Sequence, residues 1–266
     1  SKVLNSIAIL GAGTWGMALA KMLKNTNKNV TVWSALPDEI EELSKTSRHP
    51  KLPNVLFPKG IEYTTDIKSA VENKDIIMFA VPSVFVRQTA RKCKDYIKDN
   101  QIIVDVAKGI EPDTLFTLTQ VIDDEIKNKT VKYVALSGPT HAEEVSRDMP
   151  TTIVSACQDI EVAKLVQEFF SSSFMRVYTN TDIKGIEICG ALKNIIALAT
   201  GISRGLGYGD NATAALVTRG LAELSRLGTA IGCSPYTFSG LTGMGDLIVT
   251  CTSIHSRNNN AGFLIG

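Results

Sequence analysis

Gly11-Ala12-Gly13-Thr14-Trp15-Gly16 stands directly after the apolar run Ser6 to Leu10 and directly before a helical pattern at Met17, Ala20 and Leu23. Three glycines between a strand and a helix each have a physical task. The first permits a tight turn, the second lets backbone approach a pyrophosphate, and the third lets helix and strand pack closely. An anion held there faces the unpaired N–H groups and positive dipole end of the helix. The polar turn Asn25 to Asn29 then leads to a second apolar run, Val30 to Trp33, within about 30 residues of the first. Strand, glycine loop, helix and strand together predict a Rossmann-like, dinucleotide-binding α/β unit.

Working outward, apolar runs bounded by turn residues recur at Asp75 to Val81, Ile102 to Val106, Tyr133 to Leu136, Thr152 to Ser155 and Met175 to Tyr178. They lack strict alternation, as expected of strands buried on both faces in a mainly parallel sheet. After Thr181 the pattern turns helical. Ile188, Leu192, Ile195, Ala199 and Ile202 draw one apolar stripe at spacings of three and four. Leu216, Arg219, Leu221, Leu224 and Leu227 predict a second helix, ended near Gly228 and Gly232. The expected organisation is a dinucleotide-binding domain over residues 1–182 and an all-α domain over 183–266.

Length and composition agree with this layout. The chain has 266 residues, 44% hydrophobic and 21% charged, close to globular averages of about 45–50% and about 25%. With 28 basic against 27 acidic residues the net charge is +1, which leaves no broad field for nucleic acid. Five cysteines without a Cys-x-x-Cys pair read as buried thiols of a reducing compartment. The N-terminal residues lack a signal-peptide pattern, and no uninterrupted apolar run reaches the ~20 residues of a membrane span. A cytoplasmic protein without membrane insertion is expected.

Candidate chemistry lies at strand ends and on the later helices. Ala107-Lys108-Gly109 and Ser137-Gly138-Pro139-Thr140 follow their strands directly, where ligands of open α/β sheets bind. Lys193 has only uncharged neighbours three and four residues away, Cys189, Gly190, Ile196 and Ala197. Desolvation of such a lysine suits proton transfer near neutrality; the alternative is an amine that snorkels to solvent. Asp246 follows a glycine-rich loop, Thr250 shares its helix face, and Ser256-Arg257-Asn258 is suited to a phosphate. His49, His141 and His255 have no metal-site spacing and read as loop or edge residues unless the fold brings one to the cofactor. After the second strand, Ser34 and Ala35 offer neither an acid for a ribose hydroxyl nor an arginine for a 2′-phosphate. Asp38, Glu39 and Arg48 stand farther off, so NAD and NADP both remain open.

In this order, the glycine loop, Arg48-His49-Pro50, Ala107-Lys108-Gly109-Ile110-Glu111, Leu136-Ser137-Gly138-Pro139-Thr140, Cys189-Gly190-Ala191-Leu192-Lys193-Asn194 and Gly245-Asp246-Leu247 through Ser256-Arg257-Asn258 resemble the NAD(P)-dependent glycerol-3-phosphate dehydrogenases, bacterial type. The resemblance implies hydride transfer between a nicotinamide and C2 of glycerol 3-phosphate, feeding glycerophospholipid synthesis. It implies that Lys193 is the proton donor and acceptor, that Lys108 orients the same oxygen, and that Asp246, Thr250 and Asn194 hold hydroxyls and the lysine. Ser256, Arg257 and Asn258 would bind the phosphate, with Gly138 and Thr140 also lining the substrate. Gly11, Gly13, Thr14, Trp15, Gly16, Lys108, Ala142 and Arg257 would contact NAD or NADP.

The resemblance further implies a small phosphorylated substrate, a homodimer, and several more helices after Ser256-Arg257-Asn258, so that the helical domain here is expected to be incomplete. Two other readings share parts of the pattern: a different hydroxyacid or sugar-acid dehydrogenase, and a non-catalytic NAD(H)-sensing module.

Overall fold

The computed structural model describes residues 2–138, 141–239 and 257–266, without the side chains of residues 194, 239, 257 and 258. β1 (Ser6–Leu10), α1 (Thr14–Asn25), β2 (Asn29–Trp33), α2 (Pro37–Thr46), β3 (Glu62–Thr64), α3 (Ile67–Val71), β4 (Ile76–Phe79), α4 (Val86–Cys93), β5 (Ile102–Asp105), α5 (Leu118–Ile126), β6 (Lys132–Ser137), α6 (Ala142–Ser146), β7 (Thr151–Ala156), α7 (Ile160–Phe170) and β8 (Met175–Asn180) form the first part. Their eight-stranded sheet has the order β3-β2-β1-β4-β5-β6-β7-β8. This is a Rossmann-like arrangement, and the reversal of strand order between β1 and β4 opens the crevice where such sheets bind ligands.

Alternation along each strand supplies two cores. Ile7 and Ile9 of β1 face one layer with Met17, Leu19 and Phe170. Ala8 and Leu10 face the other with Val86, Ala90 and Val121. β3 escaped the sequence reading because three edge residues, Glu62 exposed and Tyr63 and Thr64 half-exposed, form no apolar run.

All neighbours pair in parallel except β6 and β7, which run antiparallel. The connection between them contains only the five-residue α6. That helix rises about 7–8 Å, too little to return the chain along a six-residue strand of about 20 Å. The Thr152 to Ser155 run therefore enters the sheet in the opposite sense to the runs before it, and the Met175 to Tyr178 run pairs with it in parallel.

The helical part holds α8 (Ile183–Gly205), α9 (Asp210–Ala230), α10 (Pro235–Ser239) and a last helix, Arg257–Ile265. Asp182 sets their start: its carboxylate accepts from Gly185 N at 3.1 Å, capping α8, and from Ser234 N at 2.9 Å and Thr237 Oγ1 at 2.6 Å beside α10. Gly228 lies inside α9 and does not end it; the Phe238 ring occupies the space a side chain would need there. The chain turns instead at Gly232, whose φ is +89°.

At 23 residues α8 is longer than the apolar run read from the sequence, and by length and composition alone it could cross a membrane. Here it packs between β6, α9 and the last helix. Its stripe also differs from the expected one. Ile195 is 64% exposed, whereas Ile186, Cys189, Lys193, Ala197 and Thr200, spaced by three and four, are each at most 1% exposed. The most buried face of α8 is the one that carries Lys193.

Candidate active site

Each glycine of the first loop has a distinct environment. Gly11 has φ +122°, and a Cβ added there would stand 2.8 Å from the backbone of Ala80 and Val81 after β4. At Gly16 an added Cβ would meet Gly11 O at 2.8 Å and Ala80 Cβ at 3.2 Å, so this glycine lets α1 lie against the sheet. Above Gly13 an added Cβ meets nothing within 4 Å among the described residues. Gly13 is also the N-cap of α1 and supplies no capping side chain, so the first N–H groups of the helix face an open cradle. Thr14 opens α1, and Trp15 packs half-buried against the core beside it. These residues fit a dinucleotide pyrophosphate.

His49, read from the sequence as a loop residue, belongs to this loop. It is 7% exposed, with Nε2 3.0 Å from Ala12 O and Nδ1 accepting from Lys51 N at 3.1 Å. Because Nδ1 accepts, the proton sits on Nε2 and is donated to Ala12. Spacing could not reveal a partner 37 positions away in the chain.

Across the switch point, β5 and β6 present the second group. Lys108 follows β5, and its Nζ donates to Gly138 O at 3.4 Å. Gly138, at φ +158°, lies so close to β7 that a Cβ would stand 2.8 Å from Thr152 O. Gly190 of α8 passes beneath the Lys108 stem, where an added Cβ would lie 3.8 Å from Cγ. Lys193 is wholly buried and does not snorkel to solvent. It lies against Lys108, and both lysines act electrostatically on Cys189. Burial around the Lys108 ammonium holds its pKa below the ordinary lysine value, opposed by the neighbouring Lys193 amine. Ser137 Oγ, buried beside Gly190, has no hydrogen-bond partner among the described residues.

Behind these lysines lies a carboxyl pair that sequence reasoning missed. Glu187 of α8 accepts from Thr119 N at 3.1 Å and from Thr119 Oγ1, so the helix bearing Lys193 is tied to the N-terminus of α5. Asp105, the last residue of β5 and 2% exposed, accepts from Ala107 N at 3.2 Å and faces Glu187. An acid within the apolar run Ile102 to Val106 was the available signal.

Burial pushes both carboxyls above their ordinary range, and for Asp105 the Glu187 charge adds to it. Raised pKa values mean that the folded state holds protons the unfolded chain releases. Their burial therefore weakens the fold as pH rises from the ordinary carboxyl range toward the raised values. Asp105→Asn keeps an oxygen for Ala107 N and removes the charge. Thermal unfolding is expected to show a higher Tm for this variant at about pH 8 and little change at about pH 4.

Ala142 opens α6 and is buried against the core near α1. Asn194 lies on α8, and Arg257 and Asn258 begin the last helix, but their side chains lie outside the described residues. Thr140, Asp246, Thr250, Ser256 and His255 lie outside them entirely.

Comparison with known proteins places this geometry in a family. Residues 6–163 match the family model described as the NAD-dependent glycerol-3-phosphate dehydrogenase N-terminus, and residues 182–266 match that of its C-terminus. A glycerol-3-phosphate dehydrogenase [NAD(P)+] of Lactobacillus delbrueckii subsp. bulgaricus is 63% identical over 98% of this chain and 78% of its own length. A counterpart from Fusobacterium nucleatum is 52% identical with the same coverage. Among solved structures, glycerol-3-phosphate dehydrogenase from Coxiella burnetii is 37% identical with a TM-score of 0.93, over 98% of this chain and 80% of that one. With its glycine cradle and paired lysines at the carboxyl edge of a Rossmann-like sheet, the chain belongs to the NAD-dependent glycerol-3-phosphate dehydrogenase family of oxidoreductases.

Proposed function

We propose that this chain interconverts sn-glycerol 3-phosphate and dihydroxyacetone phosphate, with Lys193 as the acid/base. The observation that carries the reading is the meeting of Lys193, from the helical part, with Lys108, from the end of β5, in a buried contact beside Gly138. NAD or NADP, when bound, takes up or supplies the hydride. In the oxidative direction the C2 hydroxyl proton passes to the neutral amine of Lys193 as the C2–H bond breaks. In the reductive direction the same ammonium returns it to the C2 oxygen. Lys108, held by Gly138 O, orients that oxygen and leaves Lys193 to carry the proton.

Residues 1–182 are assigned to the cofactor and 183–266 to the substrate. Asn194, Asp246 and Thr250 are assigned to the substrate hydroxyls and the amine, and Ser256, Arg257, Asn258, Gly138 and Thr140 to the rest of the substrate, the phosphate foremost. Thr14, Trp15, Ala142 and Arg257 are assigned to the cofactor. A remote phosphate clamp contributes orientation.

A cytoplasmic location is supported by the free buried thiols Cys93, Cys157, Cys189 and Cys233, and the role assigned to the reaction there is glycerophospholipid supply. A homodimer is supported by the exposed apolar residues Ile195, Leu206 and Ile231 of the helical part.

Gly13→Ala tests the cofactor side. The backbone of Gly13, at φ −73° and ψ 179°, suits any residue, and the added methyl meets none of the described residues within 4 Å. The Tm is expected to stay within the range of ordinary surface substitutions, about 0.5 kcal/mol. NADH affinity, read by fluorescence titration, is expected to fall about tenfold or more, equivalent to about 1.4 kcal/mol. Unchanged affinity would remove the cradle from the account.

A further inference from the structure

The end of β2 carries a choice between cofactors that the family name leaves open. Gly11 N donates to Trp33 O at 2.8 Å, so the phosphate loop is joined to the last residue of β2. Ser34, the next residue, is 5% exposed and hydrogen-bonds β3 through Ser34 N to Thr64 O at 3.2 Å. At this edge a Rossmann-like sheet meets the 2′ substituent of the adenosine ribose, and an acid about 20 residues beyond the glycine loop reads it.

Ser34 itself cannot supply the acid, but it holds one. Its Oγ accepts from Leu36 N at 3.1 Å and donates its single hydrogen to Glu39 Oε2 at 3.0 Å. Glu39 is half-buried in the first turn of α2, next to exposed Asp38. The five-residue separation that put Glu39 beyond the expected position is closed by the turn Ala35-Leu36 and the start of α2.

Three basic side chains near this edge have partners among the described residues. Lys45 pairs with Glu41, and Arg48 Nη1 donates to Pro53 O at 3.0 Å. Lys92 stands 5.6 Å from the centroid of the Trp33 ring, which packs in the layer with α3 and α4.

We propose that Glu39, held in place by Ser34, accepts a hydrogen bond from the 2′-hydroxyl of the adenosine ribose and repels a 2′-phosphate, so that this chain takes NAD(H) in preference to NADP(H). The inference rests on the reading of the glycine loop as the dinucleotide cradle. A 2′-phosphate brings close to two negative charges toward Glu39 and Asp38, whereas a hydroxyl brings a donor to an oriented acceptor.

Binding without substrate tests it. NADH and NADPH are titrated separately against wild type, Glu39→Gln and Lys92→Ala, with nucleotide fluorescence as the readout and thermal unfolding as a check on folding. Wild type is expected to bind NADH on the order of tenfold or more tightly than NADPH. Glu39→Gln is expected to bring the two affinities within a few-fold, with unchanged Tm, and Lys92→Ala to leave the preference for NADH in place.

NADPH bound as tightly as NADH by wild type would overturn the proposal. So would a ratio that ignores Glu39→Gln. If wild type bound neither nucleotide, the dinucleotide reading of the loop would fall, and this inference with it. Nucleotide binding with an unmoved ratio would overturn the Glu39 role alone.

Discussion

Lys193→Ala is expected to lower kcat by about 10²–10⁴-fold, the usual contribution of a positioned acid or base, while NADH affinity stays within a few-fold of wild type. The separation follows from location. Lys193 lies on α8, beside Lys108 and Cys189, whereas the cradle is built from the loop between β1 and α1. Lys193 is wholly buried, so truncation removes the group that moves the proton without exposing a new charged surface. Lys193→Arg is expected to fail as well, because a guanidinium remains protonated and cannot accept the C2 hydroxyl proton. Steady-state kinetics with dihydroxyacetone phosphate and NADH, beside a nucleotide titration, separate the two effects. Loss of nucleotide binding together with kcat would make Lys193 a structural residue.

Gly11→Ala is expected to produce the largest loss of stability, about 3 kcal/mol. Two contributions add. Backbone at φ +122° is strained for any residue with a Cβ, by about 1–3 kcal/mol. The new methyl would also stand 2.8 Å from the backbone of Ala80 and Val81, and overpacking of this kind costs about 1–3 kcal/mol. Ala80 cannot yield, since its N is bonded to Leu10 O at 2.9 Å at the sheet edge. In a domain of this size the Tm is expected to fall by roughly 10 °C. The contrast with Gly13→Ala is the informative part, since two glycines two residues apart separate folding from nucleotide binding. Equal Tm for both variants would contradict this division.

How much was legible in the sequence depended on how local the signal was. The glycine loop, the central strands and the change to helices after Thr181 could be read because each is written in contiguous residues. The short β3 carries too few residues for a pattern, and β7 looks like any other buried strand. Its antiparallel sense depends on the five-residue α6, not on its own composition. On α8 the apolar stripe through Ile195 competes with the face through Lys193, and hydrophobicity favours the wrong one. Packing against Lys108 and the end of β6 selects the face with the lysine, and a buried lysine is what apolar periodicity cannot anticipate.

The site shows the same division. Lys108, Gly138 and Lys193 stood out by their place in motifs, and the structure brings them together. His49 against Ala12, Glu187 against Thr119 and Ser34 against Glu39 are pairings that only the folded chain creates. Glu187 and the Asp105 it faces had the faintest signals, since a single acid among apolar residues is equally consistent with a strand edge. Their partners lie 68 positions apart in one case and on different elements in the other.

Transfer of isotope tests the central claim most directly. NADH carrying deuterium at the transferable C4 position is incubated with dihydroxyacetone phosphate and the protein, and the product is examined by mass spectrometry and NMR. The account predicts sn-glycerol 3-phosphate labelled at C2, formed in step with the nucleotide consumed by wild type and lost in Lys193→Ala. Bound nucleotide beside unlabelled, unreduced dihydroxyacetone phosphate would contradict it.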